Sequence, residues 1–140
     1  MKIDCRMKKI ILIATAILAL TACQKSMEDR AAYEARAYTQ KYCPTPVYNS
    51  TRTDSLVFDR SSCTFVYHCS LTDQMDDSTF INQNSQQLRS GLLQTIREST
   101  NLRIYKDAGF SFHYLVRSAK NPQLVLFDAT FKKEEYQSIR

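Results

Sequence analysis

Cys63-Thr64-Phe65-Val66-Tyr67-His68-Cys69-Ser70-Leu71 alternates between two sets of side chains, the two-residue period of a β-strand with one face in a core. Cys63, Phe65, Tyr67, Cys69 and Leu71 fall on the candidate core face, and Thr64, Val66, His68 and Ser70 on the other. Just upstream, Ser55 to Arg60 alternates too, and a tight turn at Arg60-Ser61-Ser62 joins the two runs as a hairpin. Just downstream, Asp73 to Ser78 reads as a polar loop. Leu88, Leu92 and Ile96 then repeat at i, i+4, i+8, which predicts an amphipathic helix over residues 83–99 that tolerates Gly91.

Further along, Leu102 to Lys106 and Phe110 to Arg117 read as a second hairpin around Asp107-Ala108-Gly109, where Gly109 can adopt positive φ. Phe110, Phe112, Tyr114 and Val116 share one face of its second strand. Beyond the turn Lys120-Asn121-Pro122, Gln123 to Phe131 is a fifth strand, with Leu124 and Leu126 on one face and Val125, Phe127, Ala129 and Phe131 on the other. Toward the N-terminus, Ser26 and Asp29 have the form of a capping box, and Ala31, Ala35, Tyr38 and Tyr42 keep helical spacing until Pro44 and Pro46, so a helix is expected over residues 27–42. Short connections imply antiparallel pairing, and helices outside a βαβ rhythm imply α+β. The expected fold is α+β: one antiparallel sheet of about five strands with two helices packed on one face, in the order αββαβββ, as a single domain over residues 27–140.

The first 22 residues have the parts of a secretory signal: Lys2, Arg6, Lys8 and Lys9, then an apolar run from Ile10 to Leu20, then small residues. A run of 11 residues is too short for a bilayer core about 30 Å thick, which needs about 20. Met7-Lys8-Lys9 is a more ordinary start for such a signal than Met1, and both starts stay open. Leu20-Thr21-Ala22-Cys23 resembles the lipobox of bacterial lipoproteins. The resemblance implies cleavage between Ala22 and Cys23 and a lipid on Cys23, with residues 23–26 as anchor and short tether. Gln24 after that cysteine is similar to outer-membrane sorting signals, and Lys25 with Glu28 and Asp29 resembles the surface-export signals of Bacteroidota lipoproteins. The implied location is the cell envelope, lipid-anchored at the outer membrane on its periplasmic or surface face.

Removing residues 1–23 discards four basic residues and one acidic one, which leaves fifteen basic and thirteen acidic, a net charge of +2. No block of basic residues with interleaved aromatics remains, so nucleic acid is not an expected partner. Three cysteines are left for an oxidising compartment. Cys63 and Cys69 lie about 20 Å apart on one strand and cannot pair with each other, so Cys43 is expected to bridge Cys69, with Cys63 as the alternative partner or all three as free thiols. No CxxC or HExxH is present, no metal or other cofactor is expected, and no catalytic residue is assigned. His68 and His113 face away from the apolar stripes, near Ser70 and Ser111, and a Ser-His-Asp set with Asp128 lacks any GxSxG elbow. Asp76-Asp77 is an acidic loop pair, short of the ligands calcium needs. Tyr33, Tyr48, Tyr105 and Tyr136 fall off the core stripes and are candidates for a binding surface. The reading is a non-enzymatic, lipid-anchored binding or accessory module, its membrane contact made through the lipid and its protein or small-molecule ligand unspecified. The alternatives are an immunity or inhibitor lipoprotein acting through a protruding loop at Asp73–Ser78 or Pro44–Thr53, and an envelope hydrolase or thiol enzyme using Cys63 or His68.

Overall fold

A computed structural model describes residues 27–137. The signal, the Ala22/Cys23 junction, the tether and the last three residues lie outside the described residues. Four strands, β1 (Thr51–Asp59), β2 (Thr64–Leu71), β3 (Ser111–Ser118) and β4 (Val125–Phe131), form one sheet in the order β1-β2-β3-β4. Helix α1 spans residues 27–42, as the spacing predicts. α2 (Ser78–Glu98), α3 (Arg103–Asp107) and α4 (Lys133–Tyr136) complete the described α-helices, and Asp73–Met75 forms one 3-10 turn before α2.

The register explains the core. Phe58, Phe65, Phe112 and Phe131 pair across all four strands and are all buried. Ala31 and Ala35 of α1 and Ile81 and Ile96 of α2 close over this face. The small side chains of α1 let it lie close to the sheet. Its Thr39 hydroxyl accepts from the Leu56 N–H at 2.8 Å and donates to the Leu56 carbonyl at 2.7 Å, which satisfies the outer edge of β1.

Several expectations are corrected. The sheet is mixed, because β2 and β3 run parallel while the outer pairs are antiparallel. A parallel pair requires a crossover, and α2 with α3 supplies it, so the middle of the chain is a βαβ unit. The strand expected at Leu102–Lys106 is instead helix α3, which reduces five strands to four and raises two helices to three, and α4 after the last strand makes a fourth. In helical form Leu102 and Tyr105 turn to the same side and Tyr105 is buried. The Lys106 ammonium donates to the carbonyls of Ile96 and Arg97, which satisfies the end of α2. Gly109 does hold positive φ, at 80°, but ends α3 where a hairpin turn was expected. α2 also starts earlier than its apolar stripe, because Asp77 caps it by accepting from the Phe80 N–H at 2.9 Å.

The cysteine expectation is corrected as well: Cys43, Cys63 and Cys69 are free thiols. Cys63 sits on the β1–β2 turn within 3.4 Å of Glu28 in the first turn of α1, whereas Cys43 follows the last turn of the same helix, a helix length of about 24 Å away. Cys69 lies nearer to Cys43, and burial pushes its thiol up to about 11.

Candidate functional site

A groove of about 360 Å³ opens between α1 and the C-terminal part of α2. Leu56, Phe65, Tyr67 and Tyr114 form its floor, Glu34 and Tyr38 stand on the α1 wall, and Thr95 on the α2 wall. The floor residues all belong to the core face of the sheet, where Leu56, Tyr67 and Tyr114 are register partners. A second, shallower depression of about 440 Å³ shares Thr95 and continues along the same flank of α2 past Gly91 and Leu88 to Phe80 and Met75. The opposite flank of α2 is occupied, since Arg89 and Arg97 reach Glu135 of α4. The two depressions meet at Thr95 and together follow one flank of α2 as a trough, with a wall from α1 only in the first.

Tyr67 and Tyr114 stack at 4.6 Å with planes 6° apart, an arrangement enforced by their pairing across the parallel strands. Burial pushes the Tyr67 phenol up to about 12 and the Tyr114 phenol well above its ordinary range. Among the described residues no fully buried polar side-chain atom lacks a partner, and neither phenol is bonded to another side chain, so both hydroxyls open onto the groove. One end of the groove is closed: Tyr105 donates to Glu34 at 2.6 Å, tying α3 to α1, and Arg30 pairs with the other carboxylate oxygen at 2.8 Å. Burial opposes ionisation of Glu34, but the Tyr105 hydroxyl and Arg30 outweigh it and hold the carboxyl below its ordinary value. The other end is open, with Tyr38 against Tyr42 at 5.3 Å and Phe80 43% exposed. At Gly91 a β-carbon would meet nothing within 4 Å, so the wall there is backbone facing open space.

The residues singled out by sequence separate. His113 meets Asp128 at 2.7 Å and His68 meets Arg117 at 3.3 Å on the outer face of the sheet. Ser70 is turned to Asp54, so the hydroxyl beside His68 is engaged elsewhere. No group of three His, Cys, Asp or Glu that could hold a metal occurs among the described residues. The two segments expected as protruding loops are pinned. Thr45 and Thr53 bond reciprocally through Thr45 N to Thr53 O and Thr53 N to Thr45 Oγ1, and Asp76 accepts from the Lys120 N–H at 3.0 Å. Tyr33 and Tyr48 are exposed as expected, but Tyr105 and Tyr136 are buried, the first because its segment is helical and the second because its hydroxyl donates to the Phe110 carbonyl at 2.7 Å. Conversely Tyr38 and Tyr42, on the expected core stripe of α1, are exposed where the trough opens. The strand periods put Tyr67 and Tyr114 in the core, and Gly91 was expected only as a glycine that the helix tolerates. The available signals were a phenol needing a partner at a buried position and a lone glycine inside a helix.

The chain belongs to a family described as a domain of unknown function (DUF8479), whose model matches residues 26–127. It is also a bacterial lipoprotein: the model of the prokaryotic membrane lipoprotein lipid attachment site matches residues 7–24. No curated protein matches the sequence. Among solved structures the fold is similar to a Pseudomonas aeruginosa protein described as secreted, at TM-score 0.64 and 15% identity over 81% of this chain and 93% of that one. It is also similar to EpsS, a pilotin of the Vibrio vulnificus type 2 secretion system, at TM-score 0.62 and 12% identity over 83% and 96% of the two chains. AspS, the type II secretion system pilotin of Vibrio cholerae, gives 0.60 and 15% over 84% and 98%. These likenesses show the fold. No described helix is long and apolar enough to cross a membrane.

Proposed function

We propose that this lipoprotein is a non-catalytic accessory module that holds an amphipathic helix of another envelope protein in the α1/α2 trough. The observation that carries the reading is the trough itself: an aromatic and aliphatic floor, two groove-facing phenols, and open space over Gly91 where a second backbone can approach closely. Helix-in-groove docking uses such a channel, and the phenols give it polar anchor points. The shared fold of two secretion pilotins supports a role in handling another envelope protein.

The lipid belongs on Cys23, after cleavage behind Ala22, and the outer membrane is the proposed location. Gln24 to Ser26 can span only about 10 Å even when extended, so the start of α1 and the β1–β2 turn beside it sit near the bilayer. The closed end of the groove, near Glu34 in the second turn of α1, then lies toward the membrane and the open end away from it.

Gly91 provides the test. Gly91→Ala and Gly91→Leu are both expected to fold, with melting at or above the wild-type temperature, because nothing crowds the site and glycine costs a helix about 1 kcal/mol. The full-length lipoprotein is crosslinked in its own membranes and purified. A protein recovered with the wild type and with Gly91→Ala, and lost with Gly91→Leu, is the expected result. Equal recovery with Gly91→Leu would refute the groove.

A further inference from the structure

We infer that the contact between His68 of β2 and Arg117 of β3 is an acid-sensitive link across the parallel centre of the sheet, intact while the imidazole is neutral and broken when it takes up a proton. The link belongs to the fold and does not depend on what the groove holds. His68 lies beside Leu115 in the register, and Arg117 lies one step further along the same face, beside Ser70. The two side chains therefore meet diagonally on the outer face of the sheet, with Arg117 Nη1 3.3 Å from His68 Nδ1. A guanidinium is always charged and only donates, so Nδ1 accepts through its lone pair and the proton of the neutral ring sits on Nε2. A doubly protonated ring has no lone pair. Its hydrogen bond to Arg117 is lost, and two cations face each other in its place.

The groups that bear on His68 come from the strands, because the described helices pack on the opposite face through Ala31, Ile81, Tyr105 and Tyr136. β3 supplies Arg117 and His113, which oppose protonation, and β1 supplies Asp54, which favours it. Asp54 is already shared by Arg52 at 2.6 Å and the Ser70 hydroxyl, and Asp128 of β4 is held by His113 at 2.7 Å. Burial, then Arg117 and His113, outweigh Asp54 and hold His68 below its ordinary value of 6.5. The unfolded chain thus takes up this proton at higher pH than the folded one. The stability that the link contributes is complete above 6.5 and is lost as pH falls from there through the lower, folded value. The loss falls on the strand pair whose other face carries Tyr67 and Tyr114.

The chain has two histidines, so both can be followed by nuclear magnetic resonance in the mature acylated lipoprotein in detergent micelles, with isotope-labelled histidine. Each ring is assigned by the signal missing from His68→Gln or from His113→Gln. His68 is expected to titrate below 6.5, to carry its proton on Nε2 when neutral, and to titrate at higher pH in Arg117→Gln, where the facing cation is gone. Between about pH 8 and about pH 5, the range over which an imidazole changes charge, the urea midpoint is expected to fall further in the wild type than in His68→Gln. A neutral His68 ring protonated on Nδ1, titration at or above 6.5, no rise in Arg117→Gln, or an equal fall of the midpoint in wild type and His68→Gln would each overturn the link.

Discussion

Tyr67 and Tyr114 have side chains of a core and hydroxyls of a binding site, and the alternation of β2 and β3 revealed only the first property. Period-two patterning reports which face a residue occupies; whether the space above that face is filled depends on how far apart α1 and α2 stand, which no local pattern encodes. The same limit explains Tyr38 and Tyr42, whose spacing matches that of Ala31 and Ala35 although only the alanines are covered. Titration checks the floor directly. Burial raises the folded-state value of Tyr67 from about 10 to about 12, so the proton is held more tightly in the folded state. The stability this phenol contributes is complete below pH 10 and is lost as pH rises through 12. Ultraviolet difference titration should show Tyr67 ionising near pH 12 or together with unfolding. A wild-type titration in which Tyr67 ionises near pH 10 with the fold intact would contradict the burial.

At the scale of elements, α1, the second half of β1 with β2, β3 and β4 were legible, because each combines a clear period with strong punctuation: Pro44 and Pro46, the Ser61-Ser62 turn, Gly109, Pro122. Leu102–Lys106 was not. Five residues are too few to separate period 2 from 3.6, and the deciding interactions, Lys106 on the end of α2 and Tyr105 on Glu34, are tertiary. The beginning of α2 was also hidden, since its first turn has no apolar stripe and is fixed by the Asp77 carboxylate on the Phe80 N–H. Asp77→Ala should therefore lower stability by about 1 kcal/mol, read as a shifted urea midpoint with unchanged slope. An unchanged midpoint would mean that the cap contributes nothing.

For the whole molecule, the lipobox was the most legible feature and the parallel centre of the sheet the least. Short connections between consecutive strands imply antiparallel neighbours, but the connection from β2 to β3 is long, and a long connection with a helix in it permits either sense. The anchor is open to a simple experiment: Cys23→Ser should leave the protein unacylated, its mass shifted by the missing lipid, and should move it from the membrane to the soluble fraction after cell fractionation. Retention of Cys23→Ser on membranes would require a different attachment.

The parallel pairing of β2 with β3 also orders events in time. Leu71 and Ser118, partners in the finished sheet, are separated by almost half of the described chain, whereas β1 and β2 meet across one turn. Closing the larger loop costs more chain entropy, and contacts of that separation form late. A chain bearing a secretory signal emerges from its N-terminus, so the β1–β2 hairpin stands for a while with Phe65 and Tyr67 uncovered and one edge unpaired. That interval is when the protein is most prone to aggregate, and it ends only when β3 arrives to complete the floor of the groove.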